Sequence, residues 1–173
     1  MSLMPDSAVR RAALEIEAHV ADEGWDQPAR LFALVSTATL LAREPALAAQ
    51  LGVESDDAGY TPVEQDVAGS DGEIEELLDR IEWPDAVAGC AVVVERLMLP
   101  PEAEDSLPDD PAEAVSAAAN HPDRRDVRLV AAVLRDGEVH SAVRAREPDD
   151  AVLLEGPDLV PALVERLRRT LAP

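Results

Sequence analysis

The chain has 173 residues and a formal net charge of −21, from 15 basic and 36 acidic side chains, a length that suits one domain over residues 1–173. Every basic residue is Arg, and the absence of Lys excludes P-loop, protein-kinase and Schiff-base chemistry. The acidic balance opposes binding to nucleic-acid backbones or anionic membrane surfaces.

One Cys (Cys90) and three His exclude a disulfide framework and a four-Cys zinc site. Apolar residues make up 47% of the chain, so the charge is not a disorder signature. There are 30 Ala and four aromatics (Trp25, Phe32, Tyr60, Trp83). A core of Leu, Val and Ala follows, in which each Trp is a scarce large contact. No apolar run reaches the ~20 residues of a membrane span, and Asp6 argues against a signal peptide. A cytoplasmic protein is expected, with Met1–Leu3 read as a cloning scar before Met4.

The first helix is predicted over Ser7–Glu23, with Val9, Ala13, Ile16 and Val20 at helical spacing and Gly24 as its stop. Ala29–Ser36 is apolar on both sides and reads as a buried strand. Short helical pieces follow to Leu41 and over Ala46–Leu51. Residues 53–72 read as an acidic loop. Between Glu54 and Asp85 lie twelve acids and one Arg (Arg80). Glu73–Ile81 is a short amphipathic helix. Ala86–Leu99, with Val92, Val93 and Val94 in succession, is the expected central strand.

Residues 100–110 form a second acidic, Pro-rich loop. Asp110-Pro111-Ala112-Glu113 is a helix start, and that helix ends near Asn120. Val127–Arg135 and Glu138–Arg146 flank Asp136-Gly137, a two-residue hairpin signal. Its register sets Leu134 opposite Val139, Ala132 opposite Ser141 and Val130 opposite Val143. His140 then falls beside Val133, and Arg144 beside Leu129, on the other face. A turn at Pro148–Asp150, a short strand over Ala151–Leu154 and a helix over Asp158–Leu171 complete the chain. The expected fold is α+β: a largely antiparallel sheet of four or five strands with helices packed on it.

Four peptides carry a resemblance over nearly the whole chain: Trp25–Val35, Thr61–Asp66, Trp83–Cys90 and Gly156–Pro161. The sequence resembles an uncharacterised family of small acidic actinobacterial proteins. The resemblance carries over no activity, cofactor or catalytic residue.

Candidate sites come from the residues themselves. Cys90 sits in an apolar run with no base beside it and reads as core, not nucleophile. Glu15, His19 and Glu23 recur at helical spacing, but a metal needs a further ligand from another element, such as His121 or Asp123, and no metal is expected. His140, Arg144 and Arg146 alternate along one strand. They fit either an anion site or an edge strand pairing with local acids. Trp25, Asp26, Gln27 and Arg30 precede one predicted strand, and Trp83 and Asp85 another. Parallel strands would bring both groups to one end of the sheet, where Glu64 and Asp66 supply carboxylates to a pocket. No catalytic constellation is recognised. The expected function is a non-enzymatic interaction or regulatory protein steering a basic protein partner. The alternative is a small-molecule binder or hydrolase at the two Trp-Asp loops.

Overall fold

Val9, Ala12, Ala13, Ile16 and Val20 form one stripe at helical spacing and all are buried. Their helix, α1 (Ala8–Asp22), is capped by Ser7, whose hydroxyl accepts from the Arg10 amide at 3.2 Å. The computed structural model describes residues 7–50, 59–65, 74–99, 102, 105–122, 124–146, 152–157 and 159–171. Expectations for residues 1–3, Asp66, Asp123 and the 148–150 turn lie outside these residues, as do parts of the 53–72 and 100–110 loops.

Six strands form one open sheet: β1 (Arg30–Ser36), β2 (Tyr60–Gln65), β3 (Gly89–Met98), β4 (Arg125–Leu134), β5 (Val139–Ala145) and β6 (Leu154–Gly156). Their order is β2-β1-β3-β4-β5-β6, and every neighbouring pair is antiparallel. The fold is α+β, with six strands instead of four or five. The added strand, β2, lies in the stretch expected to be loop. Pairing with β1 imposes it: Thr37 donates its amide to Gly59 O at 3.0 Å, and the Thr37 and Thr61 hydroxyls meet at 2.9 Å. Ladder bonds alternate along an antiparallel pair. Pro62, opposite Leu34 in the same register, therefore faces its missing N–H away from β1. At a sheet edge that position loses no ladder bond and blunts the edge.

The β4–β5 hairpin forms where expected, but one residue out of the expected register. Ala132 opposes His140, Ala131 opposes Ser141 and Val130 opposes Ala142. The loop has three residues, not two. Gly137, at φ +99°, donates to Leu134 O at 3.0 Å, while Leu134 donates to Glu138 O at 2.9 Å. Asp-Gly serves a type I turn with a left-handed glycine as well as the two-residue turn. The slip moves every β5 side chain to the opposite face. His140, Ala142 and Arg144 thus share a face with Val130 and Ala132, beneath α1.

Further helices are α2 (Thr37–Arg43), α3 (Pro45–Gln50), α4 (Ile74–Leu78), α5 (Pro111–Ala119) and α6 (Pro161–Leu171). Helix α6 starts later than Asp158 because Pro161 fits a first helical turn. The last strand is Leu154–Gly156 in place of Ala151–Leu154. The sheet is covered on both faces. Phe32, Leu34, Ala91, Val93, Val130 and Ala132 pack under α1. Leu31, Cys90, Val92, Ala131 and Val133 pack under α4 and α6, against Leu78, Leu163, Val164 and Leu167. Gly89 permits the close pairing of β3 with β4, since a Cβ there would lie 2.3 Å from Val133 O. Among the described residues no helix is long and apolar enough to cross a membrane.

Candidate functional site

The loop between α1 and β1 is densely hydrogen-bonded. Asp26 adopts φ +66°, which aims its own amide and that of Gln27 at the Glu95 carboxylate, each at 2.9 Å. The Asp26 carboxylate pairs bidentately with Arg146, at 2.8 and 3.0 Å, and this guanidinium holds the Asp26 carboxyl below the usual range. Gly24 O accepts from Gln27 Nε2 and from Arg128, both at 2.6 Å. The Trp25 ring carries two guanidiniums, Arg128 at 4.3 Å and Arg146 at 5.6 Å from its centroid.

Among the described residues Arg128 is the largest fully buried side chain, at 1% exposure. Its Nε has no hydrogen-bond partner among the described residues, and desolvation lowers its pKa from the usual arginine value.

A second cluster adjoins this loop. Arg30 donates to Glu64 on β2 at 2.7 and 2.8 Å, pairs also with Glu23, and donates to Gln27 Oε1 at 3.1 Å. Glu64 is held below its ordinary pKa by the Arg30 hydrogen bond, and Arg30 is raised chiefly by the same bond. Thus Trp25, Asp26, Gln27, Arg30 and Glu64 come together. Trp83 and Asp85 do not join them, because β1 and β3 are antiparallel and their starting ends lie apart. Trp83 packs on the α6 face, where its indole donates to Thr170 Oγ1 at 2.9 Å. Arg135 clamps the same turn through Trp83 O, Pro84 O and Val87 O, and reaches Leu171 O at 2.8 Å. Asp85 stands exposed in that turn. The pocket expected between the two Trp-Asp loops is not formed by these residues.

The basic row does share a face, and each member holds a carboxylate of this chain. His140 Nε2 lies 3.0 Å from Glu155 Oε1, while Arg10 also binds Glu155 at 2.8 Å. Arg144 pairs with the buried Glu17, and Arg146 with Asp26. The Arg10 hydrogen bond keeps Glu155 below its ordinary pKa.

Cys90 is fully buried beside Thr170 Oγ1, and burial pushes its thiol up to about 11. Such a thiol is not a nucleophile near neutral pH. His19 lies 4.0 Å from Glu23, and among the described residues no three His, Cys, Asp or Glu are placed to hold a metal ion.

One concavity escaped sequence reading. A groove of about 270 Å³ runs between the start of α6 and the adjoining ends of β3 and β4, among Val94, Arg96, Leu129, Val160, Leu163 and Arg166. These residues come from three separate elements, and none stands out from its sequence neighbours.

No curated protein and no solved structure matches the chain. A family model does, over residues 9–172, nearly the whole length across which α1, the six strands and α6 are laid out; the chain belongs to the PPA1309-like protein family.

Proposed function

We propose that the protein is a non-enzymatic interaction domain that presents an acidic surface to a basic protein partner. The supporting observation is how charge is distributed between inside and outside. Arg10, Arg30, Arg144, Arg146 and Arg166 are engaged with carboxylates of the same chain. With a net charge of −21, the acids far outnumber the cations available to match them. Glu44, Glu76, Glu82, Asp85 and Glu113 stand exposed. Residues with catalytic potential have structural employment: Cys90 lies in the core, and Arg30, Glu64 and Asp26 form ion pairs. The composition also favours a cytosolic setting and disfavours nucleic acid as the partner.

A field of this sign accelerates encounter before docking. The test is to capture partners from the native cytosol on immobilised protein and measure association rates with the captured protein at rising salt. The on-rate should fall about tenfold or more with salt and fall again in the variant Glu76→Arg/Glu82→Arg/Asp85→Arg. An on-rate indifferent to both would leave the charge a solubility device and end this reading.

A further inference from the structure

Arg128 is a buried charge without a carboxylate. It stands on β4, an inner strand, opposite Glu95 on β3 and Arg144 on β5. A guanidinium carries five N–H donors. Among the described residues its one hydrogen bond runs from Nη2 to Gly24 O, at 2.6 Å, and Nε is buried with no partner. Buried charges are ordinarily matched by an opposite charge. The two acids placed to do so are committed elsewhere with both oxygens. Glu95 accepts from the amides of Asp26 and Gln27, and Glu17 accepts twice from Arg144.

The loop between α1 and β1 lies over this guanidinium. Trp25 places its ring centroid 4.3 Å from the Arg128 Cζ, and Gly24 supplies the accepting carbonyl. Gly24 and Asp26 hold φ of +87° and +66°, and the second is a conformation that costs a residue with a Cβ. The loop is tethered at the surface. Asp26, in its pair with Arg146, has a side chain 74% exposed, so water screens that pair. Outward movement of residues 24–26 gives up these tethers and leaves the β4 ladder in place. It presents Arg128 Nε and Nη2 together as an open fork.

From this juxtaposition we infer that the Trp25 loop is a lid over an anion site, in which Arg128 binds a small oxyanion, a carboxylate or a phosphate, when the lid swings out. The parallel Nε–H and Nη2–H bonds of an arginine match two oxygens of such a group. Closed, the lid offers the cation a ring face and one carbonyl. Open, the oxyanion brings the countercharge that the surrounding side chains withhold. Arg146, which holds Asp26 and lies 5.6 Å from the Trp25 centroid, is released as the loop departs and stands as a second cation at the mouth. Ligand and Trp25 compete for Arg128, so occupancy of the site is linked to exposure of the ring. None of the exposed acids of the proposed docking surface takes part, and the two readings stand or fall separately.

In the full chain carrying Trp83→Phe, Trp25 is the sole tryptophan and its fluorescence reports the lid. Sodium acetate and sodium phosphate, each titrated at constant ionic strength against sodium chloride, are the probes. One or both should shift the emission saturably to the red as the ring enters water, and chloride should not. The oxyanion that responds names the ligand's class. Arg128→Lys keeps the charge and loses the fork, and should weaken binding about tenfold. Trp25→Leu, followed by calorimetry, should bind about tenfold more tightly, because the closed lid no longer competes. Glu95→Gln should tighten binding by about threefold, since it loosens the lid and removes an adjacent negative charge. A merely structural role for these residues would produce neither gain. No saturable shift with either oxyanion, an equal shift with chloride, undiminished binding in Arg128→Lys, or no gain in Trp25→Leu or Glu95→Gln would each overturn the assignment.

Discussion

On the α1 face, the apolar stripe of the helix is joined to the sheet side by charged ties as well: Glu17 to Arg144 and Arg10 to Glu155, with Arg128 stacked on Trp25 in the loop that follows. On the α6 face the buried contacts between helix and sheet are apolar or hydroxyl-bearing: Leu163, Leu167 and Leu171 on Val92 and Val133, with Trp83 and Cys90 meeting Thr170, and the charged groups Arg135 and Arg166 stay at the margin. The difference follows from what the sequence has available. Helix α1 presents Ala12 and Ala13 to the sheet, and small residues leave volume that a chain with four aromatics has few large apolar groups to fill. Arginine stems fill it. Their guanidiniums then need partners, and carboxylates from α1, β2 and β6 supply them. Helix α6 supplies Leu at most of its inward positions and needs no such arrangement.

The comparison breaks most readily at Glu17, only 4% exposed. Arg144→Ala leaves that carboxylate buried without its partner and should cost about 3 kcal/mol, the lower end for a broken buried pair because Arg144 is half-buried. Glu17→Leu/Arg144→Met removes both charges and should return to within about 1 kcal/mol of the parent in urea unfolding. On the other face, Leu167→Ala should cost about 2–5 kcal/mol and have no comparable charge-removal rescue. If the double variant were as unstable as Arg144→Ala, the α1 face would depend on that ion pair for its packing geometry.

The two tryptophans sharpen the contrast through double-mutant cycles. Trp25→Leu removes the surface on which Arg128 is stacked and should cost about 2 kcal/mol; most of that loss should vanish in an Arg128→Met background. Trp83→Phe keeps the ring and loses the bond to Thr170, about 1 kcal/mol, and should couple to Thr170→Val instead. Zero coupling at Trp25 would make it an ordinary space-filling aromatic.

Local signals made much of this architecture legible. The stripe on α1, the β-branched run of β3 and the Asp110-Pro111 helix start can each be read within a dozen residues. What misled were decisions made by pairing. Tyr60–Gln65 has little strand character alone and becomes β2 because β1 offers an edge. Asp136-Gly137 fixes the hairpin's place, but the bulge glycine at 137 shifts the register by one and sends His140 and Arg144 under α1. The candidate site divided in the same way. Trp25, Asp26, Gln27 and Arg30 are close in sequence and stayed together; Trp83 and Asp85 needed parallel strands to join them. The groove was invisible because its lining comes from β3, β4 and the start of α6, which no single segment records.

The smallest expected effect is in pH dependence, where the faces should differ in curve shape more than in size. Glu64 and Glu155 have their folded pKa values lowered, mainly by hydrogen bonds from Arg30 and Arg10. A depressed carboxylate contributes stability that is fully present above its unfolded pKa and is lost as pH falls through the folded one. That loss belongs below about pH 4. Solvent screens both pairs, so each contributes less than about 1 kcal/mol. Above that window the net charge acts in the opposite direction. Lowering pH from 7 towards 5 protonates ordinary surface acids and relieves self-repulsion, so stability should hold or rise before it falls. Glu64→Gln/Glu155→Gln should flatten the acid limb while leaving the rise in place. Leu163→Ala, on the other face, should lower the whole curve without changing its shape. Urea midpoints measured from pH 3 to pH 8 would separate these outcomes. An acid limb unchanged in the Gln variant would show that the α1-face pairs shape the packing of the fold without setting its acid stability.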